Sequence, residues 1–318
     1  MIEVLANLFW VLIFPGFVFT LVVGLIAAWL VRKVSALVQW RVGPPVYQPA
    51  ADVMKLMGKE ILIPQEAQRA VFVAAPLVGL SGVLLLATML WLSVAQRPFV
   101  GDIIVAIYLM VLPSLALILG SSASGSPHAA IGASREMKLV LSYELPLVLA
   151  FVVVIIKTSG VLAPAEQLSL AAIAQHAPVL SISGMLAFVV ALLCVQAKLG
   201  FVPFDMAESE TEVASGIMIE YSGALLAVWK LMQALMLVAL PLFLVIVFLG
   251  GIGTSVGSLL AGIGKFVLVL VLVILIKNTN PRVRIDQAMR FFWFYGGTAL
   301  LAAVMLATIG NYYGLAWL

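Results

Sequence analysis

The chain has 318 residues, of which 64% are hydrophobic and 10% are charged, with a formal net charge of +3. Soluble domains contain about 45–50% apolar and about 25% charged residues, so this composition excludes a soluble globular protein. Cys194 is the only cysteine, and His128 and His176 are the only histidines, which excludes a disulfide bond and a Cys/His cluster for zinc, iron-sulfur or nickel. We therefore expect no metal and no cofactor in this chain.

The predicted elements are membrane-spanning helices, each of which needs about 20 apolar residues. The sequence predicts eight of them, near residues 4–31, 70–95, 103–122, 139–157, 179–198, 217–249, 256–277 and 291–313. The first span has no Lys or Arg before Arg32, so we expect it to be retained rather than cleaved as a signal peptide. The sequence thus predicts an all-α, polytopic integral membrane protein in which residues 1–318 form a single membrane domain.

The positions of Lys and Arg predict the orientation, because these residues accumulate in cytoplasmic connections. The connections after the first, third, fifth and seventh spans hold thirteen of the seventeen basic residues. They are Arg32, Lys33, Arg41, Lys55, Lys59, Arg69, Arg135, Lys138, Lys198, Lys277, Arg282, Arg284 and Arg290. Both termini are therefore expected on the outer side.

The first inner connection begins with the turn sequence Arg41-Val42-Gly43-Pro44-Pro45. After it, Val53, Leu56 and Met57 recur at helical spacing, which predicts a short amphipathic helix within residues 50–60. Its apolar face can lie on the membrane surface or under a partner protein.

Glu144 lies within the fourth predicted span, just before Pro146. A charge in the bilayer costs about 2.5–3.5 kcal/mol on insertion scales, so this residue suggests a functional role. A boundary glutamate that reaches the cytoplasmic headgroups is the simpler alternative.

Five acidic residues fall within residues 201–220, the most unusual stretch of the chain. They are Asp205, Glu208, Glu210, Glu212 and Glu220. If the stretch is helical, Asp205, Glu208 and Glu212 share one face, and their mutual repulsion favours proton exchange. A solvated loop with acids at a helix N-terminus is the alternative.

Two further clusters of charged residues each allow two interpretations. Glu220 heads the sixth predicted span and Lys230 lies further in, so the two side chains suit either an ion path or a structural ion pair. The last inner connection contains Arg282, Arg284 and Asp286, which suits a docking surface or a plain positive-inside cluster.

Together these segments resemble the membrane protein family shared by respiratory complex I, where it is the H subunit, and the energy-converting membrane-bound nickel-iron hydrogenases. The resemblance rests on Arg41-x-Gly43-Pro44, Gln48-Pro49-x-x-Asp52-x-x-Lys55-Leu56-x-x-Lys59-Glu60, Ser142-Tyr143-Glu144, Pro203-Phe204-Asp205-x-x-Glu208-x-Glu210-x-Glu212, Glu220-Tyr221 and Pro281-Arg282-x-Arg284-x-Asp286-Gln287. These motifs and the eight-span frame cover nearly the whole chain.

The resemblance implies a membrane-arm subunit that docks a peripheral electron-transfer arm and carries an ion pathway. It implies pathway roles for Glu144, Asp205, Glu208, Glu210, Glu212, Glu220 and Lys230. It implies a docking role for Arg41, Gln48, Asp52, Lys55, Lys59, Glu60, Arg282, Arg284 and Asp286. The expected partners are hydrogenase-like large and small subunits, an iron-sulfur subunit and antiporter-like membrane subunits in a prokaryotic cell membrane, and these partners would hold the nickel-iron centre and the iron-sulfur clusters.

Two departures favour the hydrogenase branch over a quinone reductase. Complex I members have a longer glycine-rich stretch between Gly-Pro and Gln-Pro, whereas only Pro45, Val46 and Tyr47 intervene here. Complex I also tends to have a glutamate where this chain has Gln233, while Lys230 is similar to the hydrogenase branch. The H subunit of an NADH-quinone oxidoreductase, with a quinone site, and a stand-alone ion transporter remain the alternatives.

Overall fold

The computed structural model describes residues 10, 13–96, 102–164, 166–209, 212, 214, 216–253 and 255–318. Within these ranges the chain is helical and contains no β-strand, as predicted. The helices are α1 (Phe17–Val38), α2 (Gln48–Met57), α3 (Arg69–Val94), α4 (Asp102–Ser122), α5 (Pro127–Ser159), α6 (Leu170–Ile173), α7 (Ile182–Lys198), α8 (Gly223–Phe248), α9 (Val256–Thr279), α10 (Ile285–Arg290) and α11 (Gly297–Tyr313). A π-helical stretch, Phe291–Gly296, joins α10 to α11.

Seven helices of the described ranges are long and apolar enough to cross a membrane. They are α1, α3, α4, α5, α8, α9 and the continuous stretch from α10 to α11. The fifth predicted span corresponds to α7, an apolar helix of 17 residues. At 1.5 Å per residue α7 is about 26 Å long, slightly shorter than the bilayer core of about 30 Å. The chain is thus a multi-span membrane protein, and the count of eight stays a prediction.

Helix α8 lies at the centre of the bundle. It is apolar on all sides, and 94% of its most apolar 18-residue window is buried by the surrounding helices. Gly24 of α1 allows the closest approach, because a Cβ atom there would stand 2.7 Å from the carbonyl oxygen of Ala234 in α8. Most of α8 is therefore enclosed by protein, while Gln233 is half-buried and Lys230 near its start is exposed.

The predicted inner connections meet at one end of the bundle. The Gln68 amide donates a hydrogen bond to the Ala123 carbonyl (2.9 Å), which joins the first of these connections to the second. The Val283 amide donates to the Pro203 carbonyl (3.1 Å), which joins the third to the fourth.

The other connections meet at the opposite end. The Ile103 amide donates to the Leu168 carbonyl (3.2 Å), and the Ile182 amide donates to the carbonyl of Trp317 near the C-terminus (3.0 Å). The two groups of connections that were predicted from Lys and Arg therefore lie at opposite ends of the bundle. Which of these ends faces the cytoplasm stays a prediction.

Two span boundaries were predicted wrongly. Helix α1 begins at Phe17 and continues to Val38, so Arg32 and Lys33 lie within the helix instead of after it. The predicted start of this span, in residues 4–9, lies outside the described residues. Helix α5 begins at Pro127, twelve residues before the predicted 139, because proline suits the first turn of a helix and the following residues continue it.

The sixth span and the acidic stretch also differ from expectation. Helix α8 begins at Gly223, after a 3₁₀ turn at Gly216–Met218, so Glu220 precedes the helix. Residues 201–209 run as turns rather than a helix. The condition for a shared helical face of Asp205, Glu208 and Glu212 is therefore not met at Asp205 and Glu208.

Candidate functional site

A cavity of about 470 Å³ opens at the end where the inner connections meet. Helices α1, α2, α4, α5, α7, α8 and α9 and the segment 199–208 contribute to its walls. Its charged and amide side chains are Arg32, Asp52, Glu136, Lys198, Asp205, Glu208, Lys230, Gln233, Lys277 and Arg282. The cavity thus collects residues from α2 in the first inner connection, from the third and fourth inner connections and from the central helix.

Asp205 ties the acidic segment to the connection after α9. Its Oδ2 atom lies 2.9 Å from Nη2 of Arg282, and Nη1 of Arg282 donates to the hydroxyl of Ser209 at 3.0 Å. Burial raises the pKa of the Asp205 carboxyl, although the charge of Arg282 opposes this shift. Arg282 therefore binds both Asp205 and Ser209 of the acidic segment beside the cavity.

Glu208 faces the central helix. Its Oε1 atom accepts a hydrogen bond from Nε2 of Gln233 (3.0 Å), and the amide oxygen of Gln233 accepts one from Nζ of Lys230 (3.1 Å). Burial raises the pKa of the Glu208 carboxyl, and the charge of Lys230 opposes the shift. The Gln233 amide thus connects the acid to the lysine.

A second cavity of about 340 Å³ adjoins the first, since both are lined by Glu208 and Lys230. It passes Tyr221, Met218 and Leu226 at the start of α8. Glu208 and Lys230 therefore stand where the two cavities meet.

Glu136 was not among the predicted site residues. It lies in α5, is only 7% exposed, and lines the large cavity. The sequence prediction placed it in a loop because the fourth span was started too late. The helical spacing of Glu136 with Leu139, Val140 and Tyr143, all buried, could have revealed it.

Glu144 pairs with a lysine that the sequence analysis counted only as an inner-side basic residue. Nζ of Lys198, the last residue of α7, binds the Glu144 carboxylate and lies 3.3 Å from the Met110 carbonyl oxygen. The same nitrogen lies 4.8 Å from the centroid of the Tyr143 ring. The Lys198 side chain is 1% exposed and that of Glu144 is 21% exposed, so a buried lysine pairs with a half-buried carboxylate between α5 and α7.

Two other predicted pathway residues, Glu212 and Glu220, line neither cavity. Glu212 pairs with Arg135 at 2.5 Å, and its side chain is exposed. Glu220 is half-buried just before α8, and in the described part of the chain it forms no ion pair with Lys230. Glu210 lies outside the described residues.

The predicted amphipathic helix is α2, and one of its faces lines the cavity. Asp52 lies 2.6 Å from Nη1 of Arg32 and accepts a hydrogen bond from Nε2 of Gln48 at 2.8 Å. The hydrogen bond from Arg32 is the main reason that the pKa of Asp52 is below its ordinary value. Val53 and Leu56 line the cavity beside it.

At the end where the inner connections meet, the protein has an exposed and partly apolar surface around α2, which we call the predicted docking surface. The exposed residues are Trp40, Val42, Val46, Tyr47, Met54, Met57, Ile61 and Leu62, together with the predicted docking residues Arg41, Lys55, Lys59 and Glu60. Trp29 Nε1 donates to the Pro44 carbonyl (3.1 Å) and Lys33 Nζ to the Val42 carbonyl (2.5 Å), so the preceding turn is held against α1. Arg284 and Asp286 form an exposed pair at 3.4 Å on the same end.

Among the described residues, no group of three or more His, Cys, Asp or Glu side chains could hold a metal ion. The cavity instead offers carboxylates, an amide and lysines along one open space. Such groups can bind and exchange protons or attract cations. The fold and this site define a helical membrane protein with a charged cavity that opens at one end and is lined by the buried lysine of an ion pair.

The comparisons with known proteins agree with this class. The family model described as NADH dehydrogenase matches residues 11–308, so the chain belongs to the NADH dehydrogenase family of membrane subunits. The H subunit of NADH-quinone oxidoreductase from Dehalococcoides mccartyi is 33% identical, and the match covers 87% of this chain and 79% of that protein. The corresponding protein of Syntrophotalea carbinolica is 35% identical, with 92% and 93% covered.

A solved structure has the same fold. One chain of the membrane-bound sulfane sulfur reductase, an archaeal respiratory membrane complex, superposes with a TM-score of 0.78 at 25% identity. The superposition covers 91% of this chain and 96% of that chain. The predicted resemblance to the family shared by complex I and related membrane complexes is thereby confirmed.

Proposed function

We propose that this chain is the membrane-arm subunit of an energy-converting redox complex of the ferredoxin-linked hydrogenase type. It docks the peripheral electron-transfer arm and carries a pathway that couples redox chemistry to the translocation of protons or sodium ions. The observation that supports this most strongly is the cavity that holds Glu136, Asp205 and Glu208 and reaches Lys198, the partner of Glu144.

The proposed pathway runs through the large cavity. Asp205, Arg282, Glu208, Glu136 and Lys198 all line it, and Lys198 binds Glu144 outside its lining. A change in the position of the acidic segment would alter the surroundings of these carboxylates and hence their proton affinity. Redox chemistry in a partner subunit would supply that change.

The exposed apolar and basic surface around α2 supports the docking role. Large exposed apolar patches mark interaction sites, and this surface includes Met54 and Met57 of α2, the helix whose residues Val53 and Leu56 line the cavity. The partners in this proposal are hydrogenase-like large and small subunits and an iron-sulfur subunit, with antiporter-like subunits in the membrane. The nickel-iron centre and iron-sulfur clusters reside in those partners.

The H subunit of a quinone-reducing complex is the second candidate, and the names of the bacterial relatives favour it. The short sequence between Gly43-Pro44 and Gln48-Pro49 favours the hydrogenase branch. Gln233 does so as well, since it binds Glu208 at the position where complex I tends to have a glutamate.

The test is a metal and subunit inventory of the complex that copurifies with this chain in mild detergent. Nickel with iron supports the hydrogenase type, whereas iron without nickel supports a quinone or sulfur reductase. A chain that purifies alone and without iron would contradict both and favour a stand-alone ion transporter.

A further inference from the structure

The buried ammonium group of Lys198 occupies a place where a metal cation would otherwise find oxygen ligands. It binds the carboxylate of Glu144 from α5 and lies 3.3 Å from the backbone carbonyl of Met110 from α4. The Tyr143 ring faces it at 4.8 Å. Carboxylate and carbonyl oxygens are the ligands that hard cations such as sodium prefer, and an aromatic face also attracts a cation.

Lys198 also stands between two parts of the proposed pathway. Its side chain lines the cavity that contains Glu136 and Glu208, and the same ammonium binds Glu144. Glu136 and Glu144 lie eight residues apart on α5, about 12 Å along the helix axis. An ion that moves from the cavity to Glu144 therefore meets the lysine first.

We infer that Lys198 determines the selectivity of the pathway, because its tethered ammonium excludes sodium ions from Glu144 while protons pass. This inference rests on the proposed function and narrows it to protons at this point. A sodium ion beside Glu144 would have to displace the ammonium or stand a few ångströms from it, where two like charges in a region poor in water repel strongly.

A proton does not meet this obstacle. The ammonium gives a proton to the Glu144 carboxylate, so that an N–H bond breaks and an O–H bond forms. The neutral amine then accepts a proton from the cavity side, and the new N–H bond restores the ammonium. One proton moves from the cavity to Glu144, and the lysine ends in its starting state.

The test is the binding of radioactive sodium to the purified full-length chain. Wild type and Lys198→Arg keep the positive charge and should bind no more sodium than Glu144→Gln. Lys198→Met and Lys198→Gln remove the charge and should bind sodium stoichiometrically, and adding Glu144→Gln to either should abolish that binding. Lys265→Met is the matched control, since Lys265 is bound by the backbone carbonyls of Leu249 and Gly251.

Sodium binding to wild type that Glu144→Gln removes would overturn the inference, because the ammonium would then not exclude the ion. Neutral variants that elute as folded monomers and bind no sodium would overturn it as well. If the Lys198–Glu144 pair only stabilised the packing of α7 against α5, the neutral variants would be less stable and would bind no sodium. Because the assay needs no partner protein, its failure is distinct from a failure of the copurification test.

Discussion

Arg282 and Asp205 form an ion pair at 2.9 Å that joins the connection after α9 to the acidic segment after α7. The second carboxylate oxygen of Asp205 is buried, and among the groups that favour the ionised carboxylate the charge of Arg282 has the largest effect. The guanidinium of Arg282 is therefore the main compensation for the buried charge. Both residues line the large cavity.

Arg282→Gln should lower the stability of this end of the molecule and weaken docking. Removing the guanidinium leaves a largely buried carboxylate unpaired, which costs about 1–3 kcal/mol. We expect a lower Tm of the purified chain and less of the peripheral arm in the copurified complex. Arg284→Gln is the matched control, since its pair with Asp286 is 79% and 55% exposed and should contribute within about 0.5 kcal/mol. Equal effects of the two variants would contradict the role of the Arg282 pair.

Gly132→Ala should displace the acidic segment. A Cβ atom there would stand 2.6 Å from the Ile217 amide nitrogen and 3.0 Å from the Gly216 carbonyl carbon, which are backbone atoms that cannot rotate away. Overpacking of this kind costs about 1–3 kcal/mol. Gly264→Ala in α9 meets nothing within 4 Å and should be neutral or stabilising by up to about 1 kcal/mol. Thermal unfolding in detergent distinguishes the two, and an unaltered Tm for Gly132→Ala would show that the contact is not tight.

The stability of the wild type should fall, relative to Glu208→Gln, as the pH rises. Burial raises the pKa of Glu208 above its ordinary 4.5, so above that pH the unfolded chain ionises before the folded chain does. The stability from the protonated carboxyl is full below 4.5 and is lost as the pH rises through the folded pKa. Measuring Tm between about pH 4 and pH 8 for both proteins checks this. If the Tm of wild type and of Glu208→Gln changed with pH in the same way, burial would not raise the pKa of Glu208.

The fold was largely predictable because membrane helices follow from hydropathy and their sorting follows from Lys and Arg. The short helix α2 was also predictable, since Val53 and Leu56 repeat at helical spacing and line the cavity as a continuous face. The family motifs led to Asp205, Glu208 and Arg282, which the structure brings to one cavity.

Other parts of the site could not be read from the sequence. Glu136 was missed because the fourth span was predicted to begin at residue 139, after the charged residues that precede it. The helix in fact begins at Pro127 and contains Glu136 as a buried acid. Lys198 was counted among loop residues because pairing with Glu144 depends on how α5 and α7 pack. The separation of Glu212 from Glu208 depends on turns, which have no periodicity to reveal them.

The central claim is that the cavity carboxylates couple electron transfer to ion movement, and Glu136→Gln tests it most directly. Membrane vesicles that contain the whole complex are supplied with a reduced viologen dye, and electron transfer and proton uptake are followed together. The variant should keep electron transfer, and the number of protons taken up per electron should fall by a factor of roughly ten or more. An amide cannot exchange the proton that a carboxyl carries. Glu166→Gln, on an exposed outer segment, should match the wild type. An unchanged ratio of protons to electrons in Glu136→Gln would contradict the proposed pathway.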